Sequence, residues 1–261
     1  MDIIVRKDAD AAADLVAKLT AKAINEKPAL TLGLATGRTM EIVYDKIVAL
    51  HKAGKVDFSK ASSFNLDEYI GLAPEDENSY RSYMNKFLFD RVNIDKSKTN
   101  IPNGLAADAK AECQRYEDAI AKCGGIDFQL LGIGMNGHIG FNEPMSSFSS
   151  LTSAKSLNKA TIEVNEKLFP KPEMMPRRAI TMGVKTILNT RKAVLLATGD
   201  SKADIIAKAI EGPMAASCTA SALQMHENCI VVLDEAAAKN LKMRDYYDWV
   251  FQSDPEWAEF R

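Results

Sequence analysis

An apolar run leads directly into a small, hydroxyl-rich turn in Leu30-Thr31-Leu32-Gly33-Leu34-Ala35-Thr36-Gly37-Arg38-Thr39, and a segment of helical period follows. A short apolar run bounded by turn residues is typical of a buried β-strand. The same succession of apolar run, turn and helical segment recurs along the chain. This alternation predicts an α/β fold with a mainly parallel, Rossmann-like open sheet and helices on both faces.

The candidate strands and helices alternate from one end of the chain to the other. The predicted strands are Asp2 to Val5, Leu30 to Leu34, Ala61 to Asn65, Phe128 to Gly132, Ala179 to Met182, Ala193 to Thr198 and Cys229 to Leu233. The predicted helices include Asp8 to Asn25, Met40 to Ala53, Ala109 to Lys122 and Lys202 to Glu211. No repeat or low-complexity linker divides the 261 residues, so we expect one domain over residues 1–261.

Composition excludes several classes of function. With 33 Lys and Arg against 35 Asp and Glu, the chain has no global positive charge to attract nucleic acid or an anionic membrane. No stretch reaches the ~20 apolar residues of a membrane span, and the start lacks the pattern of a secretory signal. A cytoplasmic location is therefore expected. The four cysteines and three histidines are scattered, which predicts reduced structural thiols and no metal site.

Two strand-to-helix turns offer donors for an anion. Gly37, Arg38 and Thr39 open one helix, where backbone N–H groups and the helix dipole favour a phosphate. Gly199-Asp200-Ser201-Lys202 adds a cation at a second turn of this kind. Each turn alone is also compatible with an ordinary helix cap, but two on one sheet edge favour a phosphate site.

The segment Gly132-Ile133-Gly134-Met135-Asn136-Gly137 fits the G-x-G-x-x-G pattern of dinucleotide-binding dehydrogenases. That function requires a helix at the third glycine, whereas the residues after Gly137 include Gly140, Pro144 and then a serine-rich stretch, and predict a loop. The loop carries His138 and Glu143, a pairing suited to general acid/base chemistry.

Two carboxylates, Asp67 and Glu68, follow another buried strand. One of them could face a substrate as a base, and a helix N-cap is the alternative interpretation.

Together these motifs resemble the glucosamine-6-phosphate deaminase family over nearly the whole chain. The segments that carry the resemblance are Leu32-Gly33-Leu34-Ala35-Thr36-Gly37, Phe64-Asn65-Leu66-Asp67-Glu68-Tyr69-Ile70-Gly71-Leu72, Asn78-Ser79-Tyr80 and Gly134-Met135-Asn136-Gly137-His138-Ile139-Gly140-Phe141-Asn142-Glu143-Pro144. The related 6-phosphogluconolactonases share the glycine-rich core but typically lack the Asn142-Glu143-Pro144 ending and the Leu66-Asp67-Glu68-Tyr69 segment.

The resemblance implies a function and roles for individual residues. It implies conversion of glucosamine 6-phosphate to fructose 6-phosphate and ammonia, without cofactor or metal. Asp67 would move a proton between C2 and C1 of the opened sugar, and His138 would open the ring, with Glu143 and Asn136 orienting or tuning it. The phosphate would be held by residues that the resemblance places at Gly37, Arg38, Thr39, Lys167 and Lys202.

Several positions depart from the family pattern. Arg38 replaces a small residue, Lys167 stands where relatives have a phosphate-contacting arginine, and some members carry Asp at the position of Asn136. Of the allosteric positions in larger, hexameric relatives, Ser146 and Lys155 match but the arginine position is Ser153. Activation by N-acetylglucosamine 6-phosphate is therefore not implied.

The predicted C-terminal helix, Asn240 to Phe251, resembles that of the hexamers, which favours a homo-oligomer. A lactonase-like hydrolase and a non-catalytic sugar-phosphate sensor are the alternative functions.

Overall fold

Ten strands form two sheets in the computed structural model, which describes all residues, 1–261. The strands are β1 (Asp2–Arg6), β2 (Thr31–Leu34), β3 (Ser62–Asn65), β4 (Asp67–Tyr69), β5 (Thr99–Asn100), β6 (Phe128–Leu131), β7 (Ser153–Ser156), β8 (Arg178–Thr181), β9 (Ala193–Ala197) and β10 (Cys229–Asp234). Seven of them form the main sheet in the order β1-β10-β9-β6-β2-β3-β5, and every pair is parallel. The predicted mainly parallel sheet is confirmed.

The centre of the main sheet is covered on both faces. Every residue of β2, β6, β9 and β10 is buried. Because successive side chains of a strand point to opposite faces, burial of all of them requires cover on each side. This explains why these strands read as continuous apolar runs in the sequence.

Nine α-helices surround the sheets. They are α1 (Ala9–Glu26), α2 (Arg38–Lys52), α3 (Tyr80–Met84), α4 (Ala109–Lys122), α5 (Lys159–Asn165), α6 (Val184–Leu188), α7 (Ala203–Ile210), α8 (Glu235–Ala238) and α9 (Arg244–Ser253). Aspartates cap two of the three long helices, α1 and α4: Asp8 accepts the N–H of Ala11, and Asp108 accepts those of Lys110 and Ala111. None of the helices combines the length and apolar character needed to cross a membrane.

A second, three-stranded sheet has the order β4-β8-β7 and is antiparallel. The segment Ala179 to Met182, expected in the parallel sheet, instead supplies β8 of this small sheet. The strand itself is predictable because Ala179 and Ile180 are buried and apolar, but its partners β4 and β7 are short and polar and give no strand signal. The C-terminal helix also starts later than expected, at Arg244.

Candidate active site

A pocket of about 490 Å³ lies at the carboxyl ends of the central strands of the main sheet. The turn after β2, the residues between β3 and β4, the loop after β6 and the end of β9 all contribute to its wall. The expectation that polar strand ends converge is therefore confirmed. The predicted site residues that line this pocket are Gly37, Arg38, Thr39, Asp67, His138 and Lys202.

Asp67 is the carboxylate that faces the pocket. It begins strand β4, where it pairs with Thr181 of β8, and only 6% of its surface is exposed. No group of the protein donates a hydrogen bond to its carboxyl oxygens. Burial, and secondarily the negative charge of Glu68, raise the pKa of Asp67 to about 8. An unpartnered, poorly solvated carboxylate of this kind is a strong base when ionised.

Glu68 points away from the pocket and has a different environment. Its carboxylate accepts the backbone N–H groups of Tyr69, Tyr80 and Arg81 at 2.9, 3.0 and 3.1 Å. Burial still raises the pKa of Glu68 to about 7, against the lowering effect of these three donors. Glu68 thus ties β4 to the start of α3, and the two neighbouring carboxylates have separate tasks.

His138 lies in a tight loop after β6. The Gly134 N–H donates to the His138 carbonyl oxygen at 2.9 Å, and the Gly137 N–H donates to the Gly134 carbonyl oxygen at 3.0 Å. The imidazole ring lies directly against Gly134, where any side chain would collide with it. No helix begins at Gly137, so the loop expected in place of a dinucleotide-binding helix is present.

A half-buried carboxylate stands beside the histidine. Glu143 Oε2 lies 3.3 Å from His138 Nδ1 and accepts a hydrogen bond from Asn136 Nδ2 at 2.8 Å. Its other oxygen, Oε1, accepts the Thr161 hydroxyl at 2.5 Å. Burial opposes ionisation of Glu143, but His138, Thr161 and Asn136 outweigh it and lower its pKa to about 2. Glu143 is therefore an ionised partner for the ring, and Asn136 contacts the histidine pair without lining the pocket.

Positive charge in the pocket comes from Lys202. Its ammonium group donates to the Ile133 carbonyl oxygen at 2.6 Å, and no carboxylate lies within ion-pair distance of it. Burial lowers its pKa. Across the pocket, helix α2 begins at Arg38, so the first N–H groups of this helix have no intrahelical acceptor. An unpaired cation and free N–H groups on one pocket are chemically suited to an anion.

The remaining predicted phosphate residues occupy different positions. Arg38 is exposed at the rim of the pocket and forms no ion pair, so its charge is available there. Lys167 is exposed and lies outside the pocket wall, although its neighbours Leu168 and Phe169 line it. The structure thus does not bring Lys167 to the other site residues.

Sequence reasoning missed an aromatic wall and the outer partners of Glu143. The Tyr69 ring packs against Tyr80 and Phe141 with centroids 5.0 and 5.5 Å apart, and Asn165 donates to its hydroxyl at 3.1 Å. Thr161 supplies the contact to Glu143 described above. Asn165 and Thr161 belong to α5, a segment whose composition carries no chemical pattern. Only the aromatic residues inside the motifs could have been noticed.

Comparison with known proteins places the chain among relatives of one family. A family model described as glucosamine-6-phosphate isomerases/6-phosphogluconolactonase matches residues 6–232. A glucosamine-6-phosphate deaminase of Cellvibrio japonicus is 50% identical over 247 residues, which are 95% of this chain and 94% of that protein. One from Clostridium botulinum is 46% identical over 244 residues, 94% of this chain and 100% of the relative.

Solved structures show the same fold. A monomeric glucosamine-6-phosphate deaminase, 42% identical, superposes with a TM-score of 0.90 over 92% of this chain and all of its own length. A 6-phosphogluconolactonase from Leishmania guyanensis, 20% identical, shares the fold with a TM-score of 0.69 over 91% of this chain and 97% of its own. With the match to the family model and these identities, the chain belongs to the glucosamine-6-phosphate isomerase/6-phosphogluconolactonase family.

Proposed function

We propose that this protein is a glucosamine-6-phosphate deaminase, which converts glucosamine 6-phosphate to fructose 6-phosphate and ammonia. The observation that carries the proposal is that one pocket is lined by an unpartnered carboxylate, Asp67, by the imidazole of His138 and by an unpaired ammonium group, Lys202. Glu143 lies beside the imidazole, outside the pocket wall. Two relatives named as glucosamine-6-phosphate deaminases, whose sequences are 50% and 46% identical to this chain, support it.

His138 opens the pyranose ring in this proposal. Opening requires a proton on the ring oxygen and removal of one from the hydroxyl at C1, and a single imidazole carries out both transfers. Glu143, ionised and hydrogen-bonded to Asn136 and Thr161, holds the imidazole of His138 in place for these transfers.

Asp67 then moves a proton between adjacent carbons of the open chain. It takes the proton from C2, and the C–H electron pair forms the C1–C2 double bond of an enolamine while the π electrons of the C1 carbonyl move to O1, which takes up a proton. Asp67 then returns its proton to C1, and the nitrogen lone pair forms the C2–N double bond as the C1–C2 double bond is lost. The resulting imine at C2 adds water and expels ammonia. The raised pKa of Asp67 makes it a better base, and the positive amino group of the substrate favours its ionised form on binding.

Lys202 and the start of α2 bind the phosphate in this arrangement. We expect Lys202→Ala to weaken binding of glucosamine 6-phosphate by about 1.5–3 kcal/mol, the range for a charge-assisted contact. Competitive inhibition by inorganic phosphate should weaken in parallel. Lys208→Ala, a change in the same helical region away from the pocket wall, is the control. Unchanged affinity for both ligands would show that Lys202 does not contact the phosphate.

The two alternative functions fit the site less well. A sensor has no use for a carboxylate kept free of hydrogen bonds in a buried position, as Asp67 is. A lactonase needs a histidine to deliver water and does not need a base over adjacent carbons. The likeness to solved lactonases is confined to the fold at 20% identity.

A panel of hexosamine phosphates tests the proposed function. We expect ammonia release from glucosamine 6-phosphate, with fructose 6-phosphate formed in equal amount, and the rate with galactosamine 6-phosphate measures the epimer preference. The enzyme should show no hydrolysis of 6-phosphogluconolactone above the spontaneous rate. Binding of hexosamine phosphates without ammonia release would support the sensor, and lactone hydrolysis alone would support the lactonase.

Other properties stay predictions of the sequence. They are a cytoplasmic location, a homo-oligomer, activity without metal or nicotinamide, and no nucleic-acid or membrane partner. The solved relative with a TM-score of 0.90 is described as monomeric, which makes the oligomeric state the first of these to measure. The positions that the resemblance relates to an allosteric site, Ser146, Ser153 and Lys155, lie outside the wall of the pocket. Ser153 and Lys155 belong to β7.

A further inference from the structure

The base and the ring-opening pair come from different sheets. Asp67 belongs to β4 of the small antiparallel sheet, whereas His138 and Glu143 lie in the loop after β6 of the main sheet. Catalysis by two groups on one substrate requires that their separation be fixed closely. Some contact between the two bodies must therefore set this distance.

The carboxyl end of β8 makes that contact. Thr181 is the ladder partner of Asp67, and its hydroxyl oxygen accepts the Phe141 N–H at 3.0 Å. In the next residue, the Met182 N–H donates to the Leu66 carbonyl oxygen at 2.7 Å, and the Met182 carbonyl oxygen accepts Asn142 Nδ2 at 2.8 Å. Two consecutive residues thus hold the chain before Asp67 on one side and the loop between His138 and Glu143 on the other.

The loop passes very close to the base at this point. Gly140 has φ of +55°, and a Cβ at this position would lie 2.8 Å from Thr181 Oγ1 and 3.6 Å from Asp67 Oδ2. A glycine is needed both for this backbone conformation and for the close approach. Thr181 is fully buried, and it is the only residue of the small sheet whose side chain forms a hydrogen bond with the backbone of this loop.

We propose that Thr181 is a positioning residue for the deamination reaction: its hydroxyl sets the distance between Asp67 and the His138–Glu143 pair. Thr181 does not line the pocket. It acts through the Phe141 N–H, which is itself buried and has no other acceptor. Removing the hydroxyl leaves this N–H unsatisfied, so the loop must shift relative to β4. The proposal rests on the proposed function, because the two groups must serve one reaction.

The test compares Thr181→Val with Thr181→Ser. Valine keeps the branched shape and removes the acceptor, and we expect kcat for ammonia release to fall by about 10- to 100-fold, the effect of a small displacement of reacting groups. KM and inhibition by inorganic phosphate should stay unchanged, because the phosphate turns do not contact Thr181. Serine restores the acceptor and should restore most of kcat.

Thr186→Val is the matched control. Thr186 is also buried, and its hydroxyl donates to Glu117 at 2.6 Å, away from the pocket wall. Both valine variants should lose stability, but only Thr181→Val should lose kcat per folded molecule. If Thr181→Val does not fold, Thr181→Cys places a weak acceptor at the same position and should give the same loss of kcat.

Failure of this proposal and failure of the proposed function give different results. A folded Thr181→Val protein with the kcat of the unchanged protein overturns the positioning role. A higher KM with unchanged kcat overturns it equally, since that would indicate weaker substrate binding. Absence of ammonia release from the unchanged protein overturns the proposed function instead, whatever the Thr181 variants do.

Discussion

Asp67→Asn is expected to lower the rate of ammonia release from glucosamine 6-phosphate by about 10²- to 10⁴-fold, the usual contribution of a general base. An amide has nearly the same shape as the carboxylate but does not accept the C2 proton, so substrate binding should stay nearly intact. Exchange of the C2 proton with solvent, followed by NMR in heavy water, should be lost together with deamination. Asp118→Asn, a change of an exposed helical carboxylate, is the control. Rapid C2 exchange in Asp67→Asn would contradict the assignment.

The Asp67→Asn variant should be more stable to unfolding than the unchanged protein at pH 8. The pKa of Asp67 rises from 3.8 to about 8 on folding, so between these values the folded protein keeps a proton that the unfolded chain releases. Stability then falls as pH rises through this window, and an asparagine at this position would not contribute to that fall. Thermal unfolding should show a higher melting temperature for Asp67→Asn at pH 8 and little difference near pH 4. This result also establishes that lost activity is not lost folding.

His138→Gln is the second change with a large expected effect. Glutamine fills similar space and keeps a donor for Glu143, but it does not shuttle protons, so catalysed ring opening should fall by about 10²- to 10⁴-fold. Asp67 remains able to act on sugar that opens spontaneously. Ammonia release should therefore reach a ceiling, set by the uncatalysed opening rate, that further enzyme does not raise.

A remote histidine provides the control for that experiment. His51 lies on α2, where its ring contacts the Val56 carbonyl oxygen and not the pocket. His51→Gln should leave the rate proportional to enzyme concentration. Proportional kinetics in His138→Gln as well would mean that His138 does not open the ring.

Much of the main sheet could be predicted because its strands are buried on both faces. The runs around Leu32, Leu195 and Val231 are apolar for this reason, and their boundaries agree with the structure to within one or two residues. The small sheet could not be predicted in the same way. Its outer strands β4 and β7 are short and polar, and pairing with β8 is a tertiary contact that no local pattern records.

The residues of the candidate site, too, could be predicted only in part. His138 and Glu143 could be found because a histidine and a carboxylate in a tight loop after a strand suit acid/base chemistry, whereas the choice of Asp67 over Glu68 comes from the resemblance. Thr161 and Thr181 could not, since a buried threonine in a sequence is compatible with any packing role and only its hydrogen-bond partner identifies it. The expectation for Lys167 comes from the resemblance alone and not from its surroundings, which are exposed.

The separation of the two sheets has a consequence for how this architecture diversifies. Strand β4 is three residues long and lies at the edge of the small sheet, with β8 as its one neighbour. Replacements there would alter the strand that carries Asp67 without changing any strand of the parallel sheet. The proposed base and the proposed phosphate-binding groups thus stand on different sheets, so substitutions in β4 would change the chemistry while the binding of phosphorylated ligands is kept.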